Sequence, residues 1–193
     1  MKYRSILLFG APGAGKGTQG KVLGVIPNFF HCACGDVFRN LRADSPLGRT
    51  FIEYSSRGQL VPDETTIKLW RQFIKNTTQI GRFQPDHATL VLDGIPRNVQ
   101  QAEILTDALD VVAIFYLKSA NEKNLVHRIQ RRAIKENRLD DANLSIIRER
   151  LVTYEKETKP LLQFYGRHLV HRINADQTPA KVLSDILRIA VKK

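Results

Sequence analysis

Arg4-Ser-Ile-Leu-Leu-Phe-Gly10-Ala-Pro-Gly-Ala-Gly15-Lys16-Gly17-Thr18 is the stretch on which the fold turns. Arg4 to Phe9 is a short apolar run that reads as a buried strand, too short for a signal-peptide core or a membrane span. A glycine-rich loop follows at once, and a helical pattern follows the loop. Together these parts make an anion site. The glycines let backbone N–H groups converge on phosphate oxygens, the helix dipole favours negative charge, and Lys16 adds a point charge. Thr18 offers a hydroxyl to a divalent cation such as Mg²⁺. Gly17 stands between Lys16 and Thr18, so the match to the general phosphate-loop pattern is imperfect. A plainer reading, a turn that merely joins strand to helix, leaves both flanks unexplained.

Outward from this stretch, apolar strand-like runs alternate with longer helical patterns, which signals a parallel sheet covered by helices. The expected strands are Arg4–Phe9, Asn28–Cys32, Ala88–Leu92, Val111–Leu117 and His168–Ile173, most of them nearly continuous in apolar residues. Ser45-Pro46 and Thr178-Pro179 read as helix starts with proline at the first helical position. In the last helix Val182, Leu183, Ile186, Leu187 and Ile189 form an apolar stripe. Two stretches break the alternation. About Asp36 to Gln79 reads as consecutive helices, a small lobe. About Arg132 to Asp141 is polar and basic without apolar periodicity, and reads as a flap beyond a helix at Asn121–Arg132.

The 193 residues fit one compact domain, and the formal charge of +11 favours a polyanionic partner. Cys32 and Cys34 are the only cysteines. They give no disulfide framework, so a reducing cytoplasm is the expected compartment. A Cys-x-Cys metal site with His31 is a competing use, with no second ligand cluster to support it.

The Gly-x-Pro-Gly-Ala-Gly-Lys-Gly-Thr variant resembles the adenylate kinase family of nucleoside monophosphate kinases, and further motifs extend the resemblance along almost the full chain. They are Cys34-Gly-Asp-Val-Phe-Arg39, Gly58-Gln-Leu-Val-Pro-Asp-Glu64, Asp93-Gly-Ile-Pro-Arg97 with Gln101, and Arg128-x₃-Arg132 … Arg138-x-Asp-Asp141 … Arg150-x₃-Tyr154. The resemblance implies an α/β P-loop NTPase three-layer fold with a five-stranded parallel sheet flanked by helices. Residues 1–193 would form a single kinase domain, with a helical NMP-binding lobe at 33–79 and a short lid at 131–142. It further implies ATP held by Gly13, Ala14, Gly15, Lys16, Gly17, Thr18, Arg128, Arg132 and Gln177. AMP would meet Cys34, Arg39, Gln59, Leu60, Val61, Gly94, Ile95, Pro96, Arg97, Gln101, Arg138 and Arg150. The catalytic set would be Lys16, Arg39, Arg97, Arg132, Arg138 and Arg150, with Mg²⁺ at Thr18 and Asp93 through water. The lid lacks cysteines, so no structural zinc is expected.

Several positions keep two readings. Gln101 either reads the acceptor base or completes a capping box with Asn98. Cys34, where the family usually carries threonine, either faces the base without a good hydroxyl or is a small core residue. Gly58 and Asp63 also read as a helix stop and a helix start. Asn137 replaces a glycine but tolerates the same left-handed backbone. Ala142 to Ile147 lacks acidic residues and is one residue longer than usual before Arg150, which leaves that arginine's reach open. Arg131 and Arg148 read as solvated. The implied activity is reversible transfer of the terminal phosphoryl group of MgATP to AMP, giving two ADP. The alternatives are a UMP/CMP kinase, or a nucleotide-dependent regulatory or RNA-binding P-loop protein. The expected partners are ATP, AMP and ADP, with no membrane, with nucleic acid disfavoured, and with the chain a monomer. The site's own cations absorb part of the charge, leaving Lys2, Lys21, Lys123, Lys181 and Lys192-Lys193.

Overall fold

The computed structural model describes residues 2–136, 138, 141 and 143–191. The expectations for Asn137, Asp140, Ala142 and Lys192-Lys193 lie outside the described residues.

Five strands form one parallel sheet in the order β2-β3-β1-β4-β5. They are β1 (Tyr3–Phe9), β2 (Phe29–Ala33), β3 (Thr89–Asp93), β4 (Leu109–Lys118) and β5 (Val170–Asn174). Each falls within two residues of its expected place. The continuous apolar run of β1 has a direct physical reason. Successive side chains point to opposite faces of a strand, and both faces are covered. Ile6 and Leu8 enter one core with Val91, Phe115 and Ile173, packed under α1 (Lys16–Leu23), α6 (Glu122–Glu136) and α9 (Pro179–Ala190). Leu7 and Phe9 enter the other, with Leu90, Leu92, Ile114 and Trp70.

The stretch without strands folds as α2 (Cys34–Arg39), α3 (Pro46–Ser55) and α4 (Asp63–Gln79). Ser45 caps α3 by accepting from Gly48 N–H at 3.1 Å, and Thr178 caps α9 at Lys181 N–H. The remaining helices are α5 (Val99–Ile104), α7 (Leu144–Thr153), which continues into a π-helical turn at Tyr154–Thr158, and α8 (Leu161–Phe164). The stripe of α9 is buried at Val182, Ile186 and Ala190, with Leu183, Leu187 and Ile189 partly buried beside them.

Two local expectations are corrected. The helix expected to stop at Arg132 runs on to Glu136, so the first part of the flap is helical. Arg, Ala, Lys and Glu are good helix formers, and propensity carries these turns past the end of the apolar face, leaving Ile134 exposed. The strand expected to end at Cys32 ends at Ala33, and Cys34 opens α2. Both cysteines pack in the core that holds Trp70, while His31 faces the other way, against Gly20 of α1 and Gly24 just after it. The three side chains therefore do not converge as ligands. Among the described residues no helix is long and apolar enough to cross a membrane.

Trp70 is 1% exposed and meets the ring of Tyr3 edge-on at 6.5 Å. It pins the helical stretch to the sheet. Trp70→Ala is expected to cost about 3–5 kcal/mol, read as a lower midpoint of urea unfolding.

Candidate active site

The glycine-rich loop joins the C-terminal end of β1 to α1, and its conformation is one that only glycine tolerates. Gly13 has φ +83°, and a Cβ there would lie 2.6 Å from the carbonyl oxygen of Leu125 in α6. The loop thus sits under α6, with Ala14 buried and Gly15 in the left-handed region before the first turn of α1. Lys16 folds back over it, donating to the carbonyls of Gly10 at 2.7 Å and Ala11 at 3.1 Å.

The surroundings of Lys16 define the site. Burial pushes its ammonium down to about 8, and the positive charges of Arg97, Arg132 and Arg150 push the same way, while Asp93 opposes them. Residues from three separate parts of the chain therefore converge on one lysine. Asp93 reaches it from the end of β3, with Oδ2 3.5 Å from where a Cβ on Gly17 would sit. Thr18 is exposed beside them. Among the described residues Asp93 accepts no hydrogen bond, so its lone pairs are available. An open carboxylate and a hydroxyl are hard oxygen donors, which suits Mg²⁺, an ion that keeps much of its water. Among the described residues no group of three or more His, Cys, Asp or Glu could itself hold a metal.

The arginines are held by carboxylates of the protein. Asp141 is fully buried, accepting from Arg132 Nε at 2.8 Å and Nη2 at 2.6 Å on one oxygen and from Arg150 on the other. Arg150, whose reach the sequence left open, thus pairs with the carboxylate that also holds Arg132. Asp36 accepts from Arg39 at 3.2 Å and from Arg138 at 3.3 Å, so side chains a hundred residues apart meet on one oxygen. Arg39 also lies over the ring of Phe51 at 5.8 Å, and Arg138 pairs with Glu136 at 2.6 Å. Arg97 Nε donates to Gly94 O at 3.0 Å. Arg131 and Arg148 are exposed, as are Lys2, Lys21, Lys123 and Lys181.

At the far end, Arg128 donates to Ala175 O at 2.9 Å, bringing it to the loop that contains Gln177, whose amide donates to Asp185 at 2.6 Å. On the other side, Gln59 is exposed, Leu60 half-buried and Val61 buried. Ile95 and Pro96 are buried, and Thr153 reaches from α7 to Gly58 O at 3.4 Å. Cys34 is 3% exposed in the apolar core, and burial pushes its thiol up to about 11, so it stays protonated. Gln101 is buried, and Asn98 caps α5 by accepting from Gln101 N–H at 2.8 Å. The reciprocal half of a capping box is absent: the Gln101 amide bonds instead to Asp63 and to the Arg97 N–H. Asp63 opens α4 as expected, but its carboxylate faces α5 rather than capping its own helix.

The sequence did not reveal Asp36, Asp63 and Asp141 as partners. Asp36 stands three residues before Arg39, a spacing that places two side chains on one helix face and could have signalled the pair. Asp141→Ala would leave Arg132 and Arg150 without their shared counter-charge. The expected loss is about 1–3 kcal/mol, below a fully buried pair because both arginines remain partly hydrated, measured by thermal unfolding without nucleotide.

A family model described as "Adenylate kinase" matches residues 8–170. A curated protein named adenylate kinase from Cyanothece sp. is 37% identical over 191 residues, covering 95% of this chain and 93% of its own. One of the same name from Flavobacterium psychrophilum is 34% identical, covering 95% and 97%, and one from Ruminiclostridium cellulolyticum is 32% identical, covering 84% and 87%. With a phosphate loop, a carboxylate at the β3 tip and arginines from three segments around Lys16, the chain belongs to the adenylate kinase family.

Proposed function

We propose that this chain transfers the terminal phosphoryl group of MgATP to AMP, reversibly, giving two ADP. The observation that carries the reading is that Arg97, Arg132 and Arg150 all act electrostatically on Lys16, opposed among the described residues by Asp93. So many like charges around one ammonium are unfavourable unless a polyanion joins them. Two nucleotides meeting phosphate to phosphate supply that charge.

The donor phosphates would lie on the backbone of Gly13, Ala14, Gly15, Lys16, Gly17 and Thr18, with the base between Arg128 and the loop at Gln177. The acceptor would lie along Cys34, Gln59–Val61, Gly94–Pro96 and Gln101, its phosphate gripped by Arg39 and Arg97 and closed over by Arg138 and Arg150. Thr18 and Asp93 would hold Mg²⁺ through its water. When bound, the metal neutralises charge on the donor's phosphate oxygens. The transferred group passes through a loose transition state whose charge spreads over its outer oxygens, so alignment and positive charge suffice. The attacking oxygen of the acceptor phosphate is already anionic, and no side chain need remove a proton. It forms a bond to the terminal phosphorus as the bond from that phosphorus to the bridging oxygen of the donor breaks.

Asp36 and Asp141 hold four of the six site cations in place before any phosphate arrives. Preorganised charge of this kind reduces the reorganisation that transfer would otherwise require. The lobe at 33–79 and the lid at 131–142 are proposed as the parts that close, excluding water that would otherwise hydrolyse ATP. A monomeric enzyme of the cytoplasm is the setting that fits this chemistry.

Coupled assays of ADP formation with AMP, CMP, UMP, GMP or dAMP as acceptor are expected to show strong preference for AMP. Preference for CMP or UMP would overturn the acceptor, and no transfer to any of them would overturn the enzyme. Arg97→Ala and Lys16→Ala are expected to lose about two to three orders of magnitude in turnover. Protonation gives a second check. Free Lys16, held near 8 instead of 10.5, is about half neutral at pH 8, and phosphate oxygens favour its ammonium. Binding of ATP at pH 8 should therefore take up about half a proton more in the wild type than in Lys16→Met, with the difference vanishing below about pH 7. Calorimetry in buffers of different ionisation enthalpy reads it.

A further inference from the structure

Gln101 spends half of its side-chain hydrogen-bonding capacity on its own protein. Nε2 donates to Asp63 Oδ1 at 2.6 Å, and Oε1 accepts from the Arg97 backbone N–H at 2.8 Å. Asp63 is held in turn by Asn98 Nδ2, 3.0 Å from each carboxylate oxygen. A carboxylate only accepts and a peptide N–H only donates, so these two partners permit one polarity of the Gln101 amide. The reversed amide would set Oε1 against the carboxylate and an N–H against an N–H. Gln101 is 1% exposed, so water could not compensate for that mismatch.

An amide carries two acceptor sites on oxygen and two N–H donors on nitrogen. With one of each used, one acceptor and one donor remain, and the lock fixes which lies on which side. A 6-aminopurine offers the complement, an exocyclic N–H beside a ring nitrogen that accepts. A 6-oxopurine offers the reverse, a carbonyl beside a ring N–H. A freely turning amide would serve either base by flipping, whereas a locked one meets the wrong base with two buried mismatches.

We propose that Asp63 sets the choice of 6-amino over 6-oxo bases in the acceptor by locking the amide polarity of Gln101. It is a positioning residue and does not touch the base. The inference rests on the reading of Gln101 as a contact of the acceptor base and names what gives that contact its direction. The same lock rejects UMP as well as GMP and IMP, because uracil presents the reversed pattern. It does not reject CMP, whose amino group and ring nitrogen match those of adenine.

The test compares AMP with IMP as acceptors in the wild type, Asp63→Asn and Gln101→Ala, with melting temperatures recorded for each. Asparagine keeps the size but can present either an oxygen or an N–H to Gln101. In Asp63→Asn the AMP-to-IMP ratio of kcat/KM should fall about tenfold or more, through a higher KM for AMP, while the KM for MgATP stays put. A purely structural role would lower both acceptors together, and an unchanged ratio overturns the inference. If Gln101→Ala leaves the KM for AMP unmoved, the base contact itself falls and the inference with it. If Gln101→Ala raises that KM while Asp63→Asn keeps the ratio, only the inference falls. Should Asp63→Asn fail to fold, hydrogen exchange of the Gln101 side-chain amide in the wild type decides. One Nε2 proton protected in the folded protein supports the lock, and rapid exchange of both overturns it.

Discussion

The concentration of positive charge around Lys16 is the constraint that the rest of the structure answers. Its ammonium is tethered to the carbonyls of Gly10 and Ala11, yet Arg97, Arg132 and Arg150 all act on it, opposed among the described residues by Asp93. Such a cluster can be assembled only if the chain fixes its backbone firmly and supplies counter-charge nearby. The parallel sheet does the first. β1 and β3 are neighbours and end side by side, so the phosphate loop and Asp93 emerge at one edge with little freedom between them. Asp36 and Asp141 do the second, each placing one carboxylate between two arginines.

That arrangement links stability to chemistry. A buried carboxylate between two guanidinium groups is costly to desolvate, and its role is to hold the cations in register more than to add net stability. In the proposed reaction, entering phosphate oxygens would compete for the same N–H donors, which are already oriented. The acceptor side follows the same logic with neutral groups. Asp63, Asn98, Gln101 and the Arg97 N–H form a closed set of hydrogen bonds that ties the start of α4 to the start of α5 and to the loop after β3. The loop that carries Arg97, the proposed grip on the acceptor phosphate, thereby also orients the amide proposed to meet the base.

Much of this was legible in the sequence, for identifiable reasons. The five strands could be read because burial on both faces demands continuous apolar runs, and the caps at Ser45 and Thr178 because proline follows each. The arginine set came from the resemblance to the adenylate kinase family, motif by motif. The extent of α6 was not, because the last turns are held by propensity and carry no apolar signal, as the exposed Ile134 shows. The end of β2 fell one residue beyond the expected Cys32, since a strand passing directly into a helix leaves no punctuation between them.

The sequence by itself determined the sheet and the glycine-rich loop, because periodicity and glycine conformation are local properties of the chain; the resemblance to the family supplied the candidate cations. Only the tertiary structure decided how those cations are paired and which way Gln101 faces. Asp36 meets Arg138 across about a hundred residues, and Asp63 meets Gln101 across nearly forty. Pairing of that kind depends on which carboxylate the fold leaves within reach once the backbone is fixed, and no local pattern encodes that distance.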